Sequence, residues 1–265
     1  MAIKKRIIFL GQRQIAWNAL EMLAGEELRS SFELSILVTD RNTYKRVKKE
    51  LPNLNPRFIP NETRSYDDIL GAIQEFNVDL LISIQHNWIL SKEILNSVKG
   101  KAFNLHNARL PHYQGFNSIS HAILNGDDAH YSTIHWMEEK VDSGAIVFEG
   151  ITPISFNETA ISLHRKTIKT ATQIFYQFAS ALMQGHALPR KSLENIEPKY
   201  FGRDSLKKIA DVTDVGDLVQ IDRIARALFY PPYNMAYFVS ESGKNFIVPE
   251  AGLEDMPSIE LNKDG

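Results

Sequence analysis

Leu80-Leu81-Ile82-Ser83-Ile84 is apolar almost without interruption. Successive side chains of a strand point to opposite faces, so a run of this kind has to be covered on both sides. That is the setting of a strand inside a parallel sheet, with helices above and below. The segments on either side repeat the same alternation. Ile7-Ile8-Phe9-Leu10 ends at Gly11 and leads into a helical pattern through Ile15, Ala19, Leu20 and Leu23 that stops at Gly25. Leu34 to Val38 reads as a strand, Tyr44 to Leu51 as a basic helix and Arg57 to Ile59 as a short strand, while Ser65 with Asp68 resembles a capping box opening a helix through Ile69, Ile73 and Phe76.

C-terminal to Ile84 the pattern continues. Ser91 with Glu93 opens a helix to Val98, Ala102-Phe103-Asn104-Leu105-His106 is an apolar strand, and Phe116-Asn117-Ser118 leads into a helix ended by Asn125-Gly126. Tyr131 to Met137 and Ala145 to Ile154 read as strands, and Thr159 to Met183 as a long amphipathic helix closed by Gly185. Strands alternating with helices predict an α/β fold with a mostly parallel, doubly wound, Rossmann-like sheet, whose ligands sit beyond the carboxyl ends of strands. From Ala187 the texture loosens around Leu188-Pro189 and Glu197-Pro198. A helix from Val215 to Phe229 and a β-hairpin over Met235 to Val248 follow, so the expected division is a domain over 1–186 and a small C-terminal helix and hairpin region over 187–265.

The whole chain has 265 residues, 43% hydrophobic and 23% charged, which describes an ordinary globular protein near the size at which chains split into domains. With 30 basic and 32 acidic residues the formal charge is −2, so no bulk positive field gathers nucleic acid or an anionic membrane. The absence of cysteine excludes disulfides, thiolate metal sites and cysteine nucleophiles, and fits a reducing cytoplasm. The N-terminus reads as a first strand, not a signal peptide, and no segment approaches the ~18 apolar residues of a membrane span. Gly11-Gln12-Arg13-Gln14-Ile15-Ala16 supplies one glycine where a dinucleotide fingerprint needs three. No histidine pair has a spacing suited to metal, and His135 and His164 read as packing residues.

The chemistry-bearing residues are at strand ends. Asn104 and His106, two apart on one strand, share a face, and Leu110-Pro111 then bends the chain. A neutral imidazole takes protons near neutral pH and an amide NH₂ donates to a developing oxyanion. By themselves the two read more readily as a hydrogen-bonded core histidine beside an asparagine that closes a turn. Asp142, in Val141-Asp142-Ser143-Gly144-Ala145, has ordinary turn composition, yet it adds a carboxylate at a loop terminus.

Asn104-Leu105-His106, then Leu110-Pro111 and Gly115, then Val141-Asp142-Ser143-Gly144, resembles the formyltransferases that use N10-formyltetrahydrofolate. Phe9-Leu10-Gly11, Asp79-Leu80-Leu81-Ile82 and Ile89-Leu90-Ser91-Lys92-Glu93 also look like that family, so the resemblance covers roughly 5–185. Where many members carry His-Pro-Ser, this chain has His106-Asn107-Ala108-Arg109, which resembles the branch that formylates amino sugars carried on nucleotides. Tyr230-Pro231-Pro232-Tyr233 before a hairpin also looks like that branch.

The resemblance implies an enzyme transferring formyl from N10-formyltetrahydrofolate to the amine of a dTDP-linked 3- or 4-amino sugar for bacterial surface polysaccharide, with no metal. Asn104, His106 and Asp142 become the expected catalytic residues, with the amine's proton going to His106 or to Asp142. The donor would lie against Gln85, His86, Trp88, Ile89 and Leu90 and against Met137, Lys140 and Val141. Asn107, Arg109, Lys199, Arg203, Tyr230 and Tyr233 would meet the sugar nucleotide. Formylation of methionyl-tRNA or of glycinamide ribonucleotide, and a silent binding homologue, are the competing readings. Tyr237, Phe238, Phe246 and Ile247 predict a homodimer through the hairpin.

Overall fold

A computed structural model describes residues 4–193, 196–233 and 235–255. In chain order these form β1 (Lys5–Gly11), α1 (Arg13–Ala24), α2 (Glu26–Arg29), β2 (Phe32–Thr39), α3 (Arg41–Glu50), β3 (Arg57–Pro60), α4 (Tyr66–Phe76), β4 (Leu80–Ile84), α5 (Lys92–Ser97) and β5 (Ala102–His106). There follow β6 (Gln114–Gly115), α6 (Ser118–Asn125), β7 (Ala129–Trp136), β8 (Ile146–Pro153), α7 (Ala160–Met183), β9 (Tyr200–Phe201), α8 (Leu218–Leu228), β10 (Tyr237–Ser240) and β11 (Gly243–Phe246). The expected element types are all present, with boundaries moved by a few residues. None of the helices over these residues is long and apolar enough to cross a membrane.

Seven of the strands make one sheet in the order β3-β2-β1-β4-β5-β7-β8. The first five are parallel throughout, and β7 joins β5 antiparallel. The α/β, mostly parallel, doubly wound architecture is therefore observed, and the order reverses between β1 and β4. The period-2 logic of the sequence holds in detail: Leu80, Ile82 and Ile84 enter one core, with Phe9, Leu37, Phe103, Phe175 and Phe178, while Leu81 enters the other, with Ile8, Ile36, Val38, Ile69 and Ile94.

Local signals set the helix starts. The Ser65 hydroxyl accepts from Asp68 N at 3.1 Å and opens α4, Asp40 accepts from Thr43 N at 2.9 Å and opens α3, and Ser91 caps α5 through Ile94 N at 3.4 Å. Each satisfies an amide that the first helical turn leaves without an internal partner. Gly126 closes α6 in the left-handed region, φ 71.

By contacts the chain forms two compact units that interleave along the sequence. The first holds Met1–Gln114, Tyr131–Ile151 and Ile168–Lys199, and the second Gly115–His130, Thr152–Thr167 and Tyr200–Gly265. The sequence division at 186 follows a composition shift, whereas these units follow contacts in space, and β8 and α7 run through both. The second unit has its own apolar core, in which Ile123 of α6, Leu163 of α7, and Ile224 and Leu228 of α8 meet Leu206, Val212 and Ala236. Its hairpin pairs Tyr237 with Phe246 and Ser240 with Gly243.

Leu81 is fully buried between β1, α4 and α5 neighbours. Leu81→Ala removes its side chain from a packed core, and urea unfolding should show a loss of about 2–5 kcal/mol. An unchanged midpoint would mean that this face of the sheet is not packed as described.

Candidate active site

The end of β5, the end of β7 and the β7–β8 loop bring the polar residues of the first unit together. Because β5 and β7 are antiparallel in a fixed register, Asn104 stands opposite His135, and His106 opposite Thr133. Asn104 Nδ2 lies 3.1 Å from His135 Nε2. His135 Nδ1 is 2.8 Å from the Trp136 carbonyl oxygen, which can only accept, so Nδ1 carries the proton and Nε2 accepts from Asn104. Burial pushes the His135 pKa down to about 4, against the upward pull of the Asp142 carboxylate, and the ring is neutral at physiological pH.

His106 is fixed in the same way from its other side. Its Nε2 is 2.8 Å from the Tyr113 carbonyl oxygen and donates to it. Its Nδ1 faces Asp142 Oδ2 at 3.7 Å, and the second oxygen, Asp142 Oδ1, faces His135 Nε2 at 3.7 Å. Both distances exceed a direct hydrogen bond. Asn104, His106 and Asp142, the three residues expected to carry the chemistry, thus border one small volume, and Asp142 is buried within it.

The backbone holds Asp142 there. It has φ 52, a left-handed conformation uncommon for a residue with a side chain, and its carbonyl accepts from Gln114 Nε2 at 2.9 Å. Two residues on, a Cβ on Gly144 would sit 1.8 Å from the Trp136 carbonyl oxygen, so only glycine permits the loop to close against β7 at that depth.

The expected donor-binding residues fall into two groups. Leu90 is buried in one apolar cluster, against which Trp88 and Met137 pack. Lys140 is exposed and Val141 is at the exposed end of the same loop, whose Ser143 hydroxyl donates to the Lys140 carbonyl at 2.8 Å. Ile89 is 65% exposed, and its carbonyl accepts from Tyr66 Oη at 2.6 Å. Gln85 and His86 each have protein partners. Gln85 Oε1 accepts from Ile15 N at 3.2 Å, within the first turn of α1. His86, driven to a pKa of about 4 by burial, donates from Nε2 to Asn61 Oδ1 at 3.1 Å and accepts at Nδ1 from Trp88 N at 3.4 Å.

The residues expected to meet a sugar nucleotide are divided between the units. In the first, Asn107 Oδ1 accepts from the Ser132 hydroxyl at 2.6 Å, the Arg109 guanidinium lies 4.9 Å over the Tyr131 ring, and Lys199 is exposed while its backbone pairs with Pro111 and Gln114. In the second, Arg203 lies 4.2 Å over Phe116, Tyr230 Oη is 2.7 Å from His164 Nδ1, and Tyr233 is 70% exposed. His135 and Gln114 are the participants that sequence reasoning missed. His135 reads as strand packing because its partner is 31 residues away and only the antiparallel register joins them.

Residues 5–178 match the family described as formyl transferase. The GDP-perosamine N-formyltransferase of Brucella melitensis is 30% identical over 178 residues, which are 67% of this chain and 67% of that protein. The methionyl-tRNA formyltransferase of Methylacidiphilum infernorum is 28% identical over 242 residues, 88% of this chain and 73% of that protein. Among solved structures, the N-formyltransferase of Helicobacter canadensis in complex with folinic acid and dTDP-3-aminofucose superposes with a TM-score of 0.69 at 19% identity, covering 91% of this chain and 86% of that one. At that identity the likeness is one of fold.

The neutral His135 gives a pH signature with a definite sign. An imidazole in the unfolded chain protonates near 6.5, and His135 in the folded chain only near 4. Between those values the unfolded state binds a proton that the folded state refuses, so stability falls as pH drops from about 6.5 towards 4 and levels off below. Denaturation of the wild type should weaken over this interval more than that of His135→Gln, and ¹⁵N NMR should find the His135 ring neutral at pH 5.5. A ring already protonated at that pH overturns the assignment.

Proposed function

Because the chain belongs to the formyl transferase family, we propose that it transfers a formyl group from N10-formyltetrahydrofolate to the amine of a dTDP-linked 3- or 4-amino sugar. The observation that carries this reading is the meeting of Asn104, His106 and Asp142 in one buried polar volume, with His135 behind them. The amino-sugar acceptor is supported by the names of the Brucella and Helicobacter proteins, and the folate donor and dTDP by the ligands of the latter. The near-neutral charge weighs against tRNA, although the likeness to a methionyl-tRNA formyltransferase keeps that acceptor as the comparison to run. The product would serve surface polysaccharide assembly.

The donor would rest beside Trp88 and Met137, which pack against one apolar cluster. It supplies an activated formyl carbon, and the protein supplies position, hydrogen-bond donors and a place for a proton. One N–H of the Asn104 carboxamide goes to His135, which fixes the flip of the amide and leaves a second N–H on the same nitrogen. That second N–H would donate to the oxygen on which charge develops. The Tyr113 carbonyl holds His106 as the Nε2–H tautomer, so Nδ1 is the atom that would take the acceptor's proton, and Asp142 Oδ2 would stabilise the imidazolium that results. His135 is a positioning residue for Asn104, and Gln114 for Asp142.

The experiment is formyl transfer to dTDP-3-amino, dTDP-4-amino and GDP-4-amino sugars and to methionyl-tRNA. One nucleotide sugar should be formylated well above the rest, and His106→Asn or Asn104→Ala should lower kcat/KM by about 10²–10⁴. Transfer to methionyl-tRNA alone, or full activity of His106→Asn, overturns the reading.

The hairpin would pair with a second copy. A two-stranded hairpin is marginal alone, and Phe238, Val239 and Phe246 are each more than two-fifths exposed. Light scattering at micromolar concentration should give twice the chain mass, and Phe246→Glu should halve it; a monomeric wild type removes the proposal.

A further inference from the structure

The bond that fixes the His106 ring also closes a loop. His106 and Tyr113 are seven residues apart in the chain, so the ring is held only if the backbone between them returns to the same place. A second tie lies inside that loop, from Tyr113 N to the Arg109 carbonyl at 2.9 Å. The start of the loop is held by β7. The β5–β7 ladder ends at the pair His106 and Thr133, although β7 itself begins at Ala129. Past that pair the grip passes from main chain to side chains. Ser132 Oγ donates to Asn107 Oδ1 at 2.6 Å, Thr133 Oγ1 donates to the Ala108 carbonyl at 2.7 Å, and the Arg109 guanidinium lies over the Tyr131 ring.

Ser132 and Thr133 are both 0% exposed. A hydroxyl taken out of water costs stability unless it finds a hydrogen-bond partner, and here both partners belong to the segment that leaves β5 directly after His106. Neighbouring residues of a strand point to opposite faces, so the two hydroxyls hold the departing chain from both sides. Asn107, expected at the sugar nucleotide, has its carboxamide oxygen on Ser132, which gives it a second reading. We infer that Ser132 and Asn107 are a positioning pair for His106. The Ser132 hydroxyl, acting through the Asn107 carboxamide, fixes where the chain departs from β5 and thereby where the Tyr113 carbonyl meets the imidazole. This deepens the transfer proposed above and rests on it for the reaction that His106 serves. A ring held at Nε2 keeps Nδ1 facing Asp142, whereas a loosened loop lets the ring turn and withdraws that atom from the acceptor's proton.

Ser132→Ala, Asn107→Ala and the double variant of the full chain test this, with circular dichroism checking that each is folded. In ¹H–¹⁵N spectra taken in mildly alkaline buffer, where a free imidazole is neutral, the wild-type His106 ring N–H should be visible because its bond to the Tyr113 carbonyl slows exchange with water. Each single variant should broaden or lose that resonance, while the ring N–H of His135, bonded to the Trp136 carbonyl, stays as the internal control. In steady-state transfer to the preferred nucleotide sugar, each single variant should lower kcat about tenfold with KM for donor and sugar within about twofold of the wild type. The double variant should lose no more than a single one, because the two side chains share one bond. An unchanged His106 resonance and kcat in Ser132→Ala overturn the inference while transfer itself stands. A raised KM for the sugar with kcat kept in Asn107→Ala also overturns it and gives Asn107 to the acceptor, and losses that add in the double variant overturn the pairing. A wild-type His106 ring N–H that exchanges as fast as an exposed one does the same, since the loop would not then hold the ring. Loss of the resonance in both variants with no transfer by the wild type supports the positioning pair and removes the proposed function instead.

Discussion

Asn104 faces His135 across the β5–β7 ladder, and the bond between the two side chains depends on a proton that is somewhere else. The Trp136 carbonyl takes the Nδ1–H of His135, so Nε2 is left with a lone pair, and the asparagine amide has a single way to face it. Burial keeps the ring neutral and so keeps that lone pair available. A charged His135 would have two donors and nothing for Asn104 to donate to. The orientation of the amide is thus set by backbone geometry one residue along a strand, and the antiparallel turn of the sheet at β7 is what brings that backbone into range.

The other half of the site is built on the same principle. A backbone carbonyl, that of Tyr113, fixes the tautomer of His106, and a backbone carbonyl, that of Asp142, is itself held by Gln114. His106 and His135 are thus each restrained by a main-chain carbonyl, which does not titrate. Two residues here have left-handed backbone, Gln85 directly after β4 and Asp142 in the β7–β8 loop.

Much of this was legible in the residues. Apolar runs such as Ile7–Leu10 and Leu80–Ile84 announced strands with two covered faces, and Ser65 and Ser91 announced helix starts, because those signals are local. Asn104 and His106 were legible as a pair because two residues apart on a strand means the same side. Asp142 read as a turn until it was joined to the others by resemblance. His135 was opaque for a physical reason: a buried histidine at an inward strand position looks the same whether it packs or positions a partner, and only the ladder register distinguishes the two. Gln85, expected beside the donor from its position at a strand end, also has a structural bond that the sequence does not announce, its amide oxygen accepting from Ile15 N. The interleaved units were invisible to composition, which changes at 187, because a chain that leaves a unit and returns to it leaves no mark in local texture.

The interleaving bears on how such a protein can change. The second unit is assembled from three separate stretches, 115–130, 152–167 and the residues from 200 onward, with β8 and α7 threading out of one unit into the other. It is not a cassette that recombination at a single point can exchange. A crossover anywhere between 115 and 200 would splice one ancestor's half-unit onto another's, mismatching Ile123 or Leu163 with α8. A hybrid made from two relatives would therefore have to carry all three stretches together to keep this core matched.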